Sequence, residues 1–380
     1  MRNFHLANAL GATCRVTILQ IINPGEVPAP QGPSTFQQVL SAAREKSYTP
    51  LKILRGLAGP MPVTVLNYTS SNVAEVLADA LRAESYDAVQ MESIHLFRYL
   101  QTSREAKKSP AAVLDWHNIE SELMQRYAEG AANPAKKLVA SRTAQLLYKL
   151  EHQALASFAA HTVVSEREKE KLLKRAPHAQ IHVIPNGVDS AAFAAGSKTE
   201  SALSARKTLL FVGSMDYHAN ADAVLWFCAE IWPRLAAEFP ELDFKIVGRN
   251  PSPKIQGLAS SRISVTGTVD DVKRFYHQAF AVIVPLRVGG GTRLKILEAM
   301  AASVPVISTS LGAEGIAAQD GRDILIADTA AAMANSISAL LHQPELAGRL
   351  QARGRELVTK EYDWTVLGKQ LAGVYAGLRL

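Results

Sequence analysis

The sequence predicts an α/β protein built from two Rossmann-like domains, each a doubly wound parallel sheet. Three observations carry this expectation. Short apolar, β-branched runs alternate with helical patterns along the whole chain, as parallel strands covered on both faces do. The strand–helix series occurs twice, divided by a polar stretch at 194–206. A length of 380 residues also suffices for two domains, each with a sizeable core.

The chain opens with a helical pattern at 4–10, and the first strand follows at 16–22. Further strands are expected at 62–66, 88–91, 112–116, 162–164 and 181–184. The stretch 134–160 reads as helix, with Leu147, Leu150, Ala154 and Phe158 along one face. Beyond the polar stretch, strands resume at 208–213, 243–248, 263–266, 280–285, 304–309 and 323–326. The domains are therefore expected at 1–195 and 206–363, with a last helical pattern at 364–380. A doubly wound sheet ordinarily begins with a strand, and the turn after it is a favoured ligand position. Here the first strand of the N-terminal domain is missing. A sheet built in another order is one reading. The favoured one is a true start upstream, with an added segment of roughly 15–30 residues reading apolar strand then Gly-rich turn. On that reading the strand at 16–22 exposes an apolar edge, and the chain as it stands is poorly soluble or inactive.

Hydrophobic residues make up 48% and charged residues 20%, which describes a globular protein rather than a disordered one. The net charge of +6 is spread over both halves. That argues against a nucleic-acid-binding arm and suits anionic substrates or an acidic membrane surface. Cys14 and Cys228 are the two cysteines, too few for a disulfide framework or a structural zinc site, so a reducing compartment is expected. No run approaches the roughly 20 apolar residues of a membrane span. Asn3, His5 and Asn8 interrupt any signal-peptide core, which makes the cytoplasm the expected location. No repeat of solenoid period is visible.

The stretch "VPLRVGGGTRLKILEAMAASVPVISTSLGAEG" (284–315) is the most informative. An apolar strand ends at Pro285, three glycines (289–291) follow, and Thr292 opens a run of helix formers through Ala302. Such a turn aims backbone N–H groups at an anion. Arg293 and Lys295 add mobile positive charge where the helix dipole would prefer acids, which makes sense if a phosphate sits there. A plain βα turn, with Lys295 and Glu298 as an ordinary helix pair, is the competing reading. The pattern is neither a dinucleotide fingerprint nor a P-loop. In the first half, His117 follows the strand 112–116, at the end where open α/β sheets bind ligands.

Taken together, these motifs resemble the family-4 retaining glycosyltransferases of the GT-B fold. The resemblance covers nearly the whole chain. Besides 284–315 it rests on "LLFVGSMDYHANADAVLWF" (209–227), "FKIVGRNP" (244–251) and "VTGTVDDVKRFY" (265–276), and, in the first half, on "LDWHNIESELMQRYA" (114–128), "TVVSEREKEKL" (162–172) and "IHVIPNGVD" (181–189). It implies two domains facing across a cleft, a nucleotide-diphosphate sugar held mainly by the second and an acceptor by the first. It also implies transfer with retention, no metal and no cofactor, and a last helix that returns to the first domain. There is no D-x-D metal motif, and Asp270-Asp271 reads as a helix start.

By match, Glu298 is the second glutamate of the family's E-x7-E motif and implies a ligand for the ribose hydroxyls. Gly290 stands at the first glutamate, so the usual contact to the donor sugar is missing. Ser214, and Ala219 or Asn220, stand where the family often has an Arg and a Lys. Arg293 and Lys295 are therefore expected to neutralise the diphosphate, beside the N–H groups of Gly291, Thr292 and Arg293. Gly213 and Arg249 complete the expected nucleotide-sugar site. His117 matches a histidine near the donor sugar and is the expected catalytic residue. Asn186 and Gly187 read as a structural turn, and Glu166 as a helix-start residue or, alternatively, a cleft residue.

The segment 136–175 carries nine Lys/Arg against four Glu, either a solvated helix face or a peripheral contact with the inner membrane face. The expected enzyme is a hexosyltransferase of polysaccharide or cell-envelope biosynthesis acting on a glycan or lipid-linked acceptor. A sugar-nucleotide epimerase of the same fold and a catalytically impaired nucleotide-sugar binder are the alternatives.

Overall fold

A computed structural model describes residues 2–26, 35–194, 207–289 and 293–378. It divides into two compact units, Met1–Pro185 with Leu367–Leu380, and Asn186–Val366. Against the sequence boundaries at 195 and 206, the chain changes unit at Pro185.

Among its described residues the first unit holds six strands: β1 (Thr17–Ile22), β2 (Gln38–Ala43), β3 (Ala88–Met91), β4 (Ala111–Trp116), β5 (Ala160–Val163) and β6 (Ile181–Val183). The last four form a parallel sheet in the order β3-β4-β5-β6, whereas β1 and β2 pair in parallel as a sheet of their own, Thr17 opposite Gln38. Two corrections to the expected elements follow. The stretch 62–66 is helix, not strand: Pro62 precedes the helix Val63–Tyr68, whose Val63 packs so tightly on Gly56 that a Cβ there would lie 2.7 Å from Val63 Cβ. Packing thus overrides the β-branched run. The strand β2, of sequence QVLSAA, was not expected at all. It has few β-formers and exists through its ladder with β1.

The long helix Pro134–Ser157 starts where Asn133 Oδ1 accepts from the N–H groups of Ala135 and Lys136. It lays Leu147, Leu150 and Ala154 into the core of the first unit. The last helix, Trp364–Ala376, packs on the opening helix Arg2–Leu10, where a Cβ at Gly368 would come within 2.5 Å of Ala9 Cβ.

The second unit is one six-stranded parallel sheet: β7 (Lys207–Val212), β8 (Leu242–Val247), β9 (Ile263–Val265), β10 (Ala281–Val284), β11 (Val306–Ser308) and β12 (Leu325–Ile326). Its order is β12-β11-β10-β7-β8-β9. From β7 the chain winds one way to β9; from β10 it winds the other way to β12. The carboxyl ends of β7 and β10 therefore flank the topological switch point, where open α/β sheets form their crevice. All four residues of β10 are buried, as expected of a strand covered on both faces. The core runs from Val188 to Tyr362, wholly inside this unit.

Candidate functional site

Each unit carries a cluster of interacting polar groups at the carboxyl ends of its strands. In the second unit, β7 leads into Gly213, whose N–H donates to Val247 O at 2.9 Å. Gly248 follows β8 with φ +158°, and a Cβ there would lie 1.7 Å from Gly213 O. Two backbones thus meet with no room for a side chain, which only glycine allows. A Cβ at Gly213 would lie 2.9 Å from Lys295 Nζ, so the ammonium sits beside this turn. Lys295 donates to Asn220 Oδ1 at 2.9 Å and lies 4.2 Å from the centre of the Phe211 ring. Asn220 in turn donates to Ser214 O at 2.8 Å. Asn220 therefore orients a cation arriving from the far side of the switch point.

The helix carrying Lys295 spans Leu294–Ala301, with Arg293 at its N-cap. The expectation of mobile charge is corrected here. Arg293 is buried and Lys295 half-buried, the latter fixed by Asn220 and the Phe211 ring. Burial, then the Arg293 charge, lowers Lys295 to about 7, while Glu298 opposes the fall. Burial also lowers Arg293, against the attraction of Tyr217 and Glu314. Glu298 is not a partner of Lys295 on a solvated face. Tyr276 donates to Glu298 Oε2 at 2.7 Å, and burial raises the carboxyl above its ordinary value against that bond and Lys295. Arg249 stands apart on the surface, donating to Ser214 Oγ at 2.8 Å and 3.9 Å from Asp216. Gly290, Gly291 and Thr292 lie outside the described residues. Gly289, just before them, has φ +107° and approaches Tyr217 so closely that a Cβ would lie 2.9 Å from its hydroxyl.

The first unit's cluster is built on the end of β4. Asp115 is fully buried, and His117 Nε2 lies 3.1 Å from its Oδ2 and 3.2 Å from Glu92 Oε2, just beyond β3. Arg2 donates to both Asp115 oxygens at 3.2 Å and to the carbonyls of Ile184 and Pro185 at 2.9 Å; Thr162 Oγ1 also donates to Asp115 Oδ1. Burial alone would raise the Asp115 carboxyl, but the His117 bond and the Arg2 guanidinium hold it well below the usual range. The bonds to Asp115 and Glu92 lift His117 to about 9 against burial, so at neutral pH it is an imidazolium. The ligand atoms of Glu92, Asp115 and His117 lie within 4.8 Å of one another, a donor set that could take a divalent cation. Such an ion would have to displace the His117 proton and compete with Arg2 for Asp115.

Glu166 is exposed at the start of the helix Glu166–Arg175. The half-buried acid of that motif is Glu168, which accepts from Val164 N and Ser165 Oγ and is raised to about 7 by burial, with Asp115 adding to the rise. The Ser165-x-x-Glu168 spacing of a capping box was the signal for it. Glu92 and Arg2 were missed because only the fold brings them to His117. In 136–175, Arg175 is tied to the buried Glu151 at 2.8 Å and Lys171 to Glu122 at 2.5 Å. Lys136, Lys137, Lys149 and Lys174 are exposed, as are Leu138 and Tyr148. Among the described residues no helix is long and apolar enough to cross a membrane.

Both units are similar to known proteins. Residues 3–187 match the family described as "Glycosyl transferase 4-like domain", and residues 206–343 match "Glycosyl transferases group 1". A phosphatidyl-myo-inositol mannosyltransferase of Mycobacterium tuberculosis is 30% identical over 203 residues, 50% of this chain and 53% of that protein. A glycogen synthase of the same organism is 26% identical over 216 residues, 52% of this chain and 48% of that protein. The chain spans about half the length of the curated relatives it matches. Among solved structures, sucrose-phosphate synthase from Thermosynechococcus elongatus superposes with a TM-score of 0.68 at 20% identity, covering 98% of this chain and 91% of that one. The Anabaena protein HepE in complex with UDP-glucose gives a TM-score of 0.62 at 13% identity, covering 95% and 100%. The two family matches together take in both units, and the chain belongs to the family-4 glycosyltransferases of the GT-B fold.

Proposed function

We propose that the protein is a retaining, metal-independent glycosyltransferase that moves a sugar from a nucleotide-diphosphate donor to a hydroxyl of a glycan or glycolipid acceptor. The observation that carries this reading is the pair Arg293 and Lys295 at the switch point, with the Lys295 ammonium beside Gly213. Loss of a nucleoside diphosphate needs charge stabilisation on its β-phosphate, and a cation fixed in advance in a low-dielectric site provides it without reorganisation. These two side chains do the work a metal would otherwise do. Glu298, held by Tyr276, offers its second oxygen to the ribose hydroxyls. His117, held charged between Asp115 and Glu92, donates a hydrogen bond to a sugar hydroxyl rather than acting as a base. With retention, the acceptor enters on the face from which the diphosphate leaves, so its proton passes to the departing phosphate.

The relatives named for phosphatidyl-myo-inositol mannosylation favour a lipid-linked acceptor in cell-envelope synthesis, reached from the cytoplasmic face. The exposed lysines of 136–175, with Leu138 and Tyr148, would provide the peripheral contact. Calorimetry with uridine, guanosine, adenosine and thymidine diphosphates tests the reading: one should bind tightly without added metal. Replacing Arg293 and Lys295 together by alanine should weaken that diphosphate far more than the corresponding nucleoside. Equal losses would show that the phosphates lie elsewhere. Sedimentation with vesicles containing anionic lipid tests the membrane contact, and no retention at low salt would remove it.

A further inference from the structure

We propose that Tyr375 is a positioning residue for His117, acting through Gln90 and Glu92, so that the last helix of the chain completes the first unit's site. This rests on the reading of His117 as a group that meets substrate. The connection is a single file of hydrogen bonds. Tyr375 donates its hydroxyl to Gln90 Oε1 at 2.5 Å, and Gln90 Nε2 donates to Glu92 Oε1 at 2.7 Å. Glu92 Oε2 then lies 3.2 Å from His117 Nε2. Gln90 and Glu92, two residues apart along β3 and its extension, lie on one side of the strand, which lets their side chains join.

The donors and acceptors fit in one sense only. Burial, then the nearby Glu92 and Asp115 charges, raises the Tyr375 phenol well above its ordinary value, so it stays protonated and donates. Its proton points the Gln90 carbonyl towards Tyr375, which turns the amide N–H towards Glu92. Glu92 is left with one oxygen for the imidazolium. Of the two carboxylates at His117, Asp115 is already fixed by Arg2 and Thr162. Glu92 has no such clamp among the described residues apart from Gln90, so it is the adjustable partner and the relay sets it.

The charged and titratable groups facing His117 are Asp115, Glu92, Glu120 and His95, with Arg2 and Glu168 acting on it through Asp115. Of these, Glu92 alone among the described residues is joined to the Tyr375 hydroxyl by hydrogen bonds, through Gln90. A change in His117 on Tyr375→Phe is therefore assignable to the relay.

The test follows the His117 ring by nitrogen-15 NMR in the whole protein, its signal identified with His117→Asn, alongside kcat and KM. Glu92→Gln should lower the His117 midpoint by about 1 pH unit or more, as loss of an opposite charge within about 4–6 Å does. Tyr375→Phe and Gln90→Met should move it in the same direction by a smaller amount and reduce kcat several-fold with KM little changed. Where Tyr375→Phe fails to fold, Gln90→Met, which breaks the file at its middle, decides between the outcomes. A His117 midpoint unchanged in the folded variants overturns the proposal. The titration needs no substrate, so a shifted midpoint in a protein without transferase activity leaves the relay standing and removes only the functional reading.

Discussion

Replacing Lys295 by methionine should stabilise the protein while weakening its hold on a nucleoside diphosphate. Burial, followed by the Arg293 charge, lowers this ammonium from 10.5 to about 7. At ~1.36 kcal/mol per pH unit, that difference bounds the cost of keeping the charge folded at about 5 kcal/mol. Relaxation around the site returns part of this, and about 1–4 kcal/mol is the gain seen when buried charge gives way to a well-packed apolar side chain. Methionine matches the lysine stem and can rest on Phe211, as the ammonium does now.

The pH dependence has a definite sign. Below about 7 the lysine is charged in both folded and unfolded chains, so the cost is complete. As pH rises from about 7 towards 10.5 the folded form gives up its proton first, and the cost fades. Wild-type stability should therefore gain a rising contribution across that window, which Lys295→Met lacks. Urea unfolding at pH 6 and pH 9 measures it: the variant should be the more stable at pH 6, with the advantage shrinking at pH 9. Calorimetry should meanwhile give a weaker diphosphate. A variant that is less stable at pH 6 would refute the picture of an ammonium held at a cost for function.

Glu298→Gln should reduce nucleoside diphosphate affinity by about 1–3 kcal/mol, the range for a hydrogen bond to a charged group, with the melting temperature little changed because the amide can still accept from Tyr276; unchanged affinity by calorimetry would remove the ribose assignment. Because His117 is raised from 6.5 to about 9, its pairing stabilises the fold fully below pH 6.5 and is lost as pH rises through 9, and kcat should hold level to about pH 8 and fall through 9. A profile rising between pH 6 and 8 would mean that the neutral ring is the active form. Gly248→Ala should abolish stable folding of the second unit or its diphosphate binding, since its Cβ would meet the Gly213 carbonyl at 1.7 Å; normal melting and normal binding would show that the two turns can part without consequence.

Much of the fold was legible because buried parallel strands are short apolar runs, and those at 208–213, 243–248 and 280–285 appear as β7, β8 and β10 within a residue or two. The errors have local causes. "PVTVL" at 62–66 has strand composition, but Gly56 opens a slot that holds Val63 on a helix. "QVLSAA" has little β character and depends on β1. In the candidate site, the place of His117 after a strand and of Lys295 and Glu298 on the helix after the glycines could be read from the sequence. The approach of Lys295 to Gly213 and Asn220 is a tertiary fact that i,i+3 spacing could not supply. Glu92 and Tyr375 could not be found either, since they reach His117 from another strand and from the far end of the chain.

The return of the last helix to the opening one bears on how the protein can be dissected. Asn186–Val366 is one continuous stretch with its own core, so a single gene fragment encodes it and can be expressed for nucleotide-binding work. The first unit has no such fragment. A truncation within the polar stretch at 194–206 removes Gly368 from Ala9 and Tyr375 from Gln90. An expressible version has to splice 1–185 to 367–380 through a new short linker, or supply the last helix as a separate peptide. Added in trans, that peptide would turn the tail of the chain into a titratable reagent.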